Sequence, residues 1–224
     1  MRQNDAIVIM GNGPSMTGVD PRNFGPAVDT FGMKNAYRFF RRISWWPTYF
    51  ACFDYTAAGE RIDEFRALIL DPEVTVEQFF FLKKICESDR IRAVQLQPGK
   101  PFEGTFNTFG DGGNTATNCA HVAACLGYRK ILLIGVDCNW KHVPQTPGAY
   151  EVADVRASCD YFISDYKKVG EKYNAPMPDT YHFPGWRNFA EYAEGAGLEV
   201  VNCSPESALE CFRKSTLSQE LASI

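Results

Sequence analysis

The chain has 224 residues, 45% of them hydrophobic, and a formal net charge of −4 without a dense lysine or arginine cluster. That length and apolar content fit one α/β unit with a substantial core and exclude a disordered chain. The acidic balance argues against nucleic acid as a partner; no apolar run approaches the roughly 20 residues that cross a bilayer, no charged-then-apolar leader opens the sequence, and a cytoplasmic chain is expected.

The first element is read from "AIVIMGNGPS", residues 6–15, in which five apolar residues precede Gly11, Asn12, Gly13, Pro14 and Ser15. So short an apolar run, bounded by turn residues, is an interior strand. Its glycines open backbone angles closed to other residues and suit a ligand that approaches bare amides, while Pro14 stiffens the exit; the turn is a candidate cradle for a phosphate or a sugar hydroxyl. A plain strand-to-helix turn has the same composition, and both readings stay open at this point. "AVDTFGMKNAY" and "TYFACFDY" follow as second and third strands, ending at Asn35 and Asp54. Residues 57–70 place Ile62, Phe65, Leu68 and Ile69 at helical spacing and stop before Pro72, which predicts an amphipathic crossover helix. "VTVEQFFFL" fits a strand or the start of a helix, and "IRAVQLQ" reads as a short strand.

In "GDGGNTATNCAHVAACLGYRKILLIGVDCNW", Asn114 or Thr115 begins a helix whose alanines allow close packing on a sheet, and Gly127 ends it. "KILLIGVD" then forms a buried strand with Asp137 at its end. A helix running directly into an all-apolar strand predicts a Rossmann-like α/β fold: a mostly parallel central sheet flanked by helices, with ligands at the carboxyl ends of the strands. Residues 139–184 are punctuated by prolines and glycines around a helical stretch at about 155–173, and read as an inserted lid within a single α/β domain spanning 1–224. A helix near 186–194, the strand "LEVVNCSP" and a short terminal segment close the chain. The eight cysteines contain no C-x-x-C pair and are expected as free thiols, with no metal site.

With "VIMGNGPS", "DTFGMKNAYRF", "CAHVAACLGYRKILLIGVD", "TYHFPGW" and "VVNCSPESAL" in this order, the chain resembles the bacterial sialyltransferases that use CMP-sialic acid, glycosyltransferase family 42. It also resembles the related DUF115 proteins, which include flagellin-glycosylation factors and MptE-like pterin diphosphokinases. The resemblance implies transfer of sialic acid or a related nonulosonic sugar from a CMP-activated donor to a glycan or protein hydroxyl, with no cofactor required. It assigns the cytidine nucleotide to Asn12, Gly13, Asn35, Asn114 and Thr115, within a tip region that also holds Gly11, Pro14, Ser15, Asp54 and Asp137. His182 matches the catalytic base and Tyr150 the hydroxyl that steadies the departing phosphate. His142 is the rival base, and His121 is read as helix packing.

The chain departs from the sialyltransferases at Asp54, where they tend to have asparagine. It departs again at Cys138 and Asn139, where they show an aromatic pair, and at Gly112 and Gly113, where they carry an arginine. Two other readings stay open: an MptE-like transfer of pyrophosphate from ATP, with magnesium on Asp54, Asp111 and Asp137, and a nucleotide-binding protein without catalysis. A homo-oligomer also stays open.

Overall fold

The structure is a computed structural model that describes residues 4–144 and 146–224. Strand β1, Ala6–Met10, is buried at every position, as five consecutive apolar residues require of a strand covered on both faces. It pairs in parallel with β2, Val28–Met33, and with β6, Lys130–Ile134. Outward on one side lie β3 (Tyr49–Cys52), β4 (Gln78–Phe81) and β5 (Ile91–Ala93); on the other lie β9 (Glu199–Asn202) and β10 (Arg213–Lys214). The eight-stranded order is β10-β9-β6-β1-β2-β3-β4-β5, and every pairing in it is parallel. A small antiparallel pair, β7 (Ala149–Glu151) with β8 (Lys172–Asn174), stands apart. The expected Rossmann-like fold is present.

Alternate residues of β1 point to opposite cores. Ala6, Val8 and Met10 join the cluster that holds Tyr37, Phe40, Phe65 and Leu68, supplied by helices α1 (Tyr37–Arg42) and α3 (Ile62–Leu70). Ile7 and Ile9 join the cluster of Cys119, Ala120, Ala123, Trp186 and Phe189, from α4 (Thr115–Cys125) and α5 (Phe183–Gly195). The alanines of α4 bring it close to the sheet, as read from sequence. His121 is fully buried, stacked on Phe109 at 3.9 Å between ring centroids, the packing role expected of it. All eight cysteines are free.

Three expectations are corrected. The second strand ends at Met33, and Asn35 lies beyond it in a short 3-10 turn, Lys34–Ala36. The single crossover helix is two, α2 (Tyr55–Glu60) and α3, broken at Arg61. Arg61 is buried, its guanidinium 4.3 Å above the ring of Tyr173 and donating to Lys172 O at 3.4 Å; periodicity cannot register that tertiary pull on the backbone. The helix at 155–173 is absent: only a 3-10 turn, Val155–Ser158, forms, because the Ser158 hydroxyl bonds both the amide and the carbonyl of Lys167, at 3.0 Å each, and folds the segment back on itself.

The 139–182 segment passes over the strand tips. It has its own apolar cluster around Val143, Val152, Ala157 and Tyr173, and it is tied down from below. Asn35 Nδ2 donates to Tyr166 O at 2.8 Å and to Tyr173 Oη at 2.5 Å; Arg38 donates to Tyr166 O at 3.0 Å and pairs with Glu171. The backbone amide of Phe162 donates to Asn12 O at 3.1 Å.

Candidate functional site

The chain leaves β1 in both directions across the sheet, so the β1/β6 gap is the topological switch point at which a doubly wound sheet opens a crevice. The loops leaving these two strands are laced together there. Gly11 N donates to Ile134 O at 2.7 Å and Gly13 N to Gly135 O at 2.8 Å. A Cβ on Gly11 would stand 2.2 Å from Gly135 O, and one on Gly13 would stand 1.9 Å from Asp137 Oδ2. Gly13 has an ordinary extended backbone, φ −75° and ψ 169°. Its need for glycine therefore comes from the approach of the β6 loop and not from unusual backbone angles. Ser15 Oγ donates to Asp137 Oδ2 at 2.9 Å, and Gly135 N donates to Ser15 Oγ at 3.0 Å. Burial pushes the Asp137 carboxyl up, and these Ser15 bonds restrain it only in part.

Above this lacing lies a cavity of about 480 Å³, roofed by the 139–182 segment, of the size that takes a small-molecule ligand. Of the residues expected to bind nucleotide, Gly11, Asn12, Gly13, Asp54, Asn114, Thr115 and Asp137 reach its wall, whereas Pro14, Ser15 and Asn35 do not. Asn12 Oδ1 and Thr115 Oγ1 are buried without a hydrogen-bond partner among the described residues. Asn114 caps α4, its Oδ1 accepting from Thr117 N at 2.9 Å, so the positive end of the helix dipole faces the cavity. Asp54 caps α2 through Ala57 N at 2.9 Å and accepts from Lys34 Nζ at 2.7 Å. Burial pushes its carboxyl up, but Lys34, the Ala57 amide and Arg61 outweigh that and hold it below the ordinary range.

Two lysines that sequence reading missed bring positive charge to a wall that also holds Asp54, Asp137 and Asp160. Lys34 lies on its wall with a left-handed backbone, φ 53°, a conformation that costs a non-glycine residue energy and collects at functional sites. Lys167 is only 3% exposed, and its Nζ donates to Tyr150 Oη. Tyr150 is not on the wall itself but stands behind Lys167, and burial pushes its hydroxyl up to about 12. Neither lysine carries a motif; each is a single polar residue in a stretch that pattern reading takes as strand end or helix.

His182 lines the cavity with its ring 4.9 Å from that of Trp140, and has no side-chain hydrogen bond to the described residues. Burial first, then the Lys34 charge, lower it to about 4, so at neutral pH it is uncharged and able to accept a proton. His142 is off the wall, with Nδ1 2.9 Å from Asp160 Oδ1. Of the three carboxylates suggested for magnesium, Asp111 is off the wall and accepts from Gly113 N at 2.8 Å, while Asp54 and Asp137 already have the partners described. Among the described residues no group of three or more His, Cys, Asp or Glu is placed to hold a metal ion, and no helix is long and apolar enough to cross a membrane.

No protein-family model and no curated protein matches the chain. Among solved structures it is similar to the sialyltransferase CstII from Campylobacter jejuni in complex with the substrate analogue CMP-3FNeuAc, at 13% identity and a TM-score of 0.53, over 93% of this chain and 85% of that one. An alpha-2,3-sialyltransferase from Campylobacter jejuni in apo form matches at 14% identity and 0.53, over 97% of this chain and 82% of that one. The monofunctional alpha-2,3-sialyltransferase Cst-I of the same organism matches at 15% and 0.53, over 97% and 82%. At this level of identity the likeness is one of fold.

Proposed function

We propose that the protein is a glycosyltransferase that moves sialic acid or a related nonulosonic sugar from a CMP-activated donor to a hydroxyl of a glycan or protein, in the cytoplasm. The observation that carries this reading is the placement of an uncharged, unbonded His182 on the same wall as Lys34 and the amino end of α4. One group can take a proton while the others attract a phosphate. The shared fold with CstII, which was solved with CMP-3FNeuAc, supports the choice of donor by analogy.

On this reading the chain is one domain and residues 139–184 are its lid. Asn12, Asn114 and Thr115 hold the nucleotide against the bare backbone of Gly11 and Gly13, while Pro14, Ser15, Asp54 and Asp137 shape the tips and Asn35 anchors the lid. The acceptor oxygen forms the new bond to the anomeric carbon as the bond from that carbon to the phosphate oxygen breaks. The electron pair leaves with CMP, and the hydroxyl proton passes to His182. Tyr150 backs the departing phosphate from behind Lys167. CMP is a good leaving group, and the reading assigns no cofactor.

His182→Ala should lower turnover by a factor of roughly 10² to 10⁴, the usual yield of a general base, and leave CMP affinity nearly unchanged. Full turnover in that variant, or a loss confined to His142→Ala, would show that the base is misassigned. Thermal shifts with CMP, CDP, ATP and ATP with magnesium test the donor. Stabilisation by the cytidine nucleotides is expected; stabilisation only by ATP with magnesium would overturn the reading.

A further inference from the structure

We infer that Lys167 is the direct receiver of the donor's departing phosphate, held for that role by a cage of Tyr150, Tyr161 and Tyr173. The inference rests on the reading above and assigns the phosphate contact to a residue that reading left in the background. The Lys167 Nζ lies 5.0, 4.7 and 4.6 Å from the ring centroids of Tyr150, Tyr161 and Tyr173. Its backbone is pinned at both amide and carbonyl by Ser158 Oγ. The ammonium is thus fixed at its root and along its stem before any ligand arrives, which reduces the ordering cost of binding.

What the cage lacks is an anion. Buried ammonium groups in a purely structural role are paired with a carboxylate, yet among the described residues none stands within 4.0 Å of Lys167. The rings of Tyr161 and Tyr173, together with the Tyr150 oxygen, offset part of the desolvation. An ammonium has three donors, and one, to Tyr150 Oη, is used. The remaining donors belong to a group on the cavity wall. As the bond to the anomeric carbon breaks, negative charge grows on the phosphate oxygen. A positioned ammonium meets that growing charge with charge-assisted hydrogen bonds and without giving up its proton. Tyr150 is then a positioning residue, its oxygen accepting from Lys167.

The charged groups around Lys167 set its titration. Burial, then Lys34 and Arg61, lower it, while Asp160 and Asp54 act the other way, and it rests at about 7. An anion beside it restores the charged form, so phosphate binding should weaken as pH rises from 7 to 9. Lys34 is raised, Asp54 is lowered and Tyr150 stands at about 12, so none of these changes charge in that window.

Calorimetric titration of the parent, Lys167→Met and Lys167→Arg with CMP, cytidine, free sialic acid and inorganic pyrophosphate at pH 7 and 9 tests this. In the parent the CMP Kd should rise by up to about 50-fold across the window, as the free amine loses its proton. In Lys167→Met CMP should bind about tenfold or more weakly at pH 7, with little pH dependence, while cytidine binds as before. Lys167→Arg should keep CMP affinity and lose the pH dependence. Unchanged CMP binding in Lys167→Met, or a loss confined to free sialic acid, overturns the inference and leaves the glycosyltransferase reading standing. A parent that binds pyrophosphate through Lys167 but no CMP reverses that outcome. A parent that binds neither overturns both. Should Lys167→Met fail to fold, a parent-like pH dependence in Lys167→Arg overturns the inference.

Discussion

Gly13 is the residue at which a ligand reading and a structural reading divide. Its missing side chain leaves room for the Asp137 carboxylate, which would lie 1.9 Å from a Cβ. Gly13→Ala should therefore displace Asp137 from Ser15 and destabilise the fold by about 1–3 kcal/mol. A Gly13→Ala/Asp137→Ser double variant should recover part of that loss in thermal unfolding; strict additivity would show that the two do not meet. Asp54 works in the opposite sense. Asparagine in its place still caps α2 but removes the charge 2.7 Å from the Lys34 ammonium. Asp54→Asn should therefore leave CMP affinity intact or raise it, as measured by titration, whereas an enzyme that holds magnesium-ATP through that carboxylate would lose binding.

His182 makes a prediction about pH. Burial and Lys34 lower it to about 4 in the free protein, so the acid limb of kcat/KM, which reports the free enzyme, should fall near that value. A bound phosphate offsets the Lys34 charge, and the acid limb of kcat should lie at higher pH. Coincident limbs would separate His182 from Lys34 and the phosphate.

At the scale of elements, the 139–182 segment carries only the short β7/β8 pair as regular sheet and is held to the strand tips by side-chain anchors. Asn35, buried below it, and the Arg38–Glu171 pair hold it to the strand tips. Burial pushes the Glu171 carboxyl up, but Arg38, Tyr173 and the Lys168 amide prevail and hold it at about 2, against an ordinary 4.5. A carboxylate lowered on folding stabilises above its unfolded value and stops doing so as pH falls through its folded one. Amide protection across 139–182 should thus fall between pH 4.5 and 2 in the parent, and Glu171→Gln should already show weakened protection at pH 7. Equal protection in the two proteins at pH 7 would show that the pair does not hold the segment. The same anchoring explains why helical periodicity misleads on both sides of it. Arg61, drawn onto Tyr173, splits one crossover helix into α2 and α3, and the Ser158–Lys167 bonds replace the other with a folded loop.

For the whole molecule, the parallel order was legible because apolar runs such as "AIVIM" and "KILLI" can be buried on both faces only in a sheet covered by helices. The strand-tip location of the cavity follows from that order at the switch point. The strand tips themselves carried local signals: glycines, an Asn cap before α4, a carboxylate after each of two strands. Local composition determined those because the physics is local. What only the tertiary structure decided is which of these groups face a ligand. Ser15 spends its hydroxyl on Asp137, 122 positions away, and on Ser204, off the cavity wall, and the amide nitrogen of Asn35 is spent on the covering segment. Lys34 and Lys167, from segments 133 positions apart by number, enter one cavity as its cations. Burial and charge at such a point depend on everything packed around it, and no spacing along the chain encodes that sum.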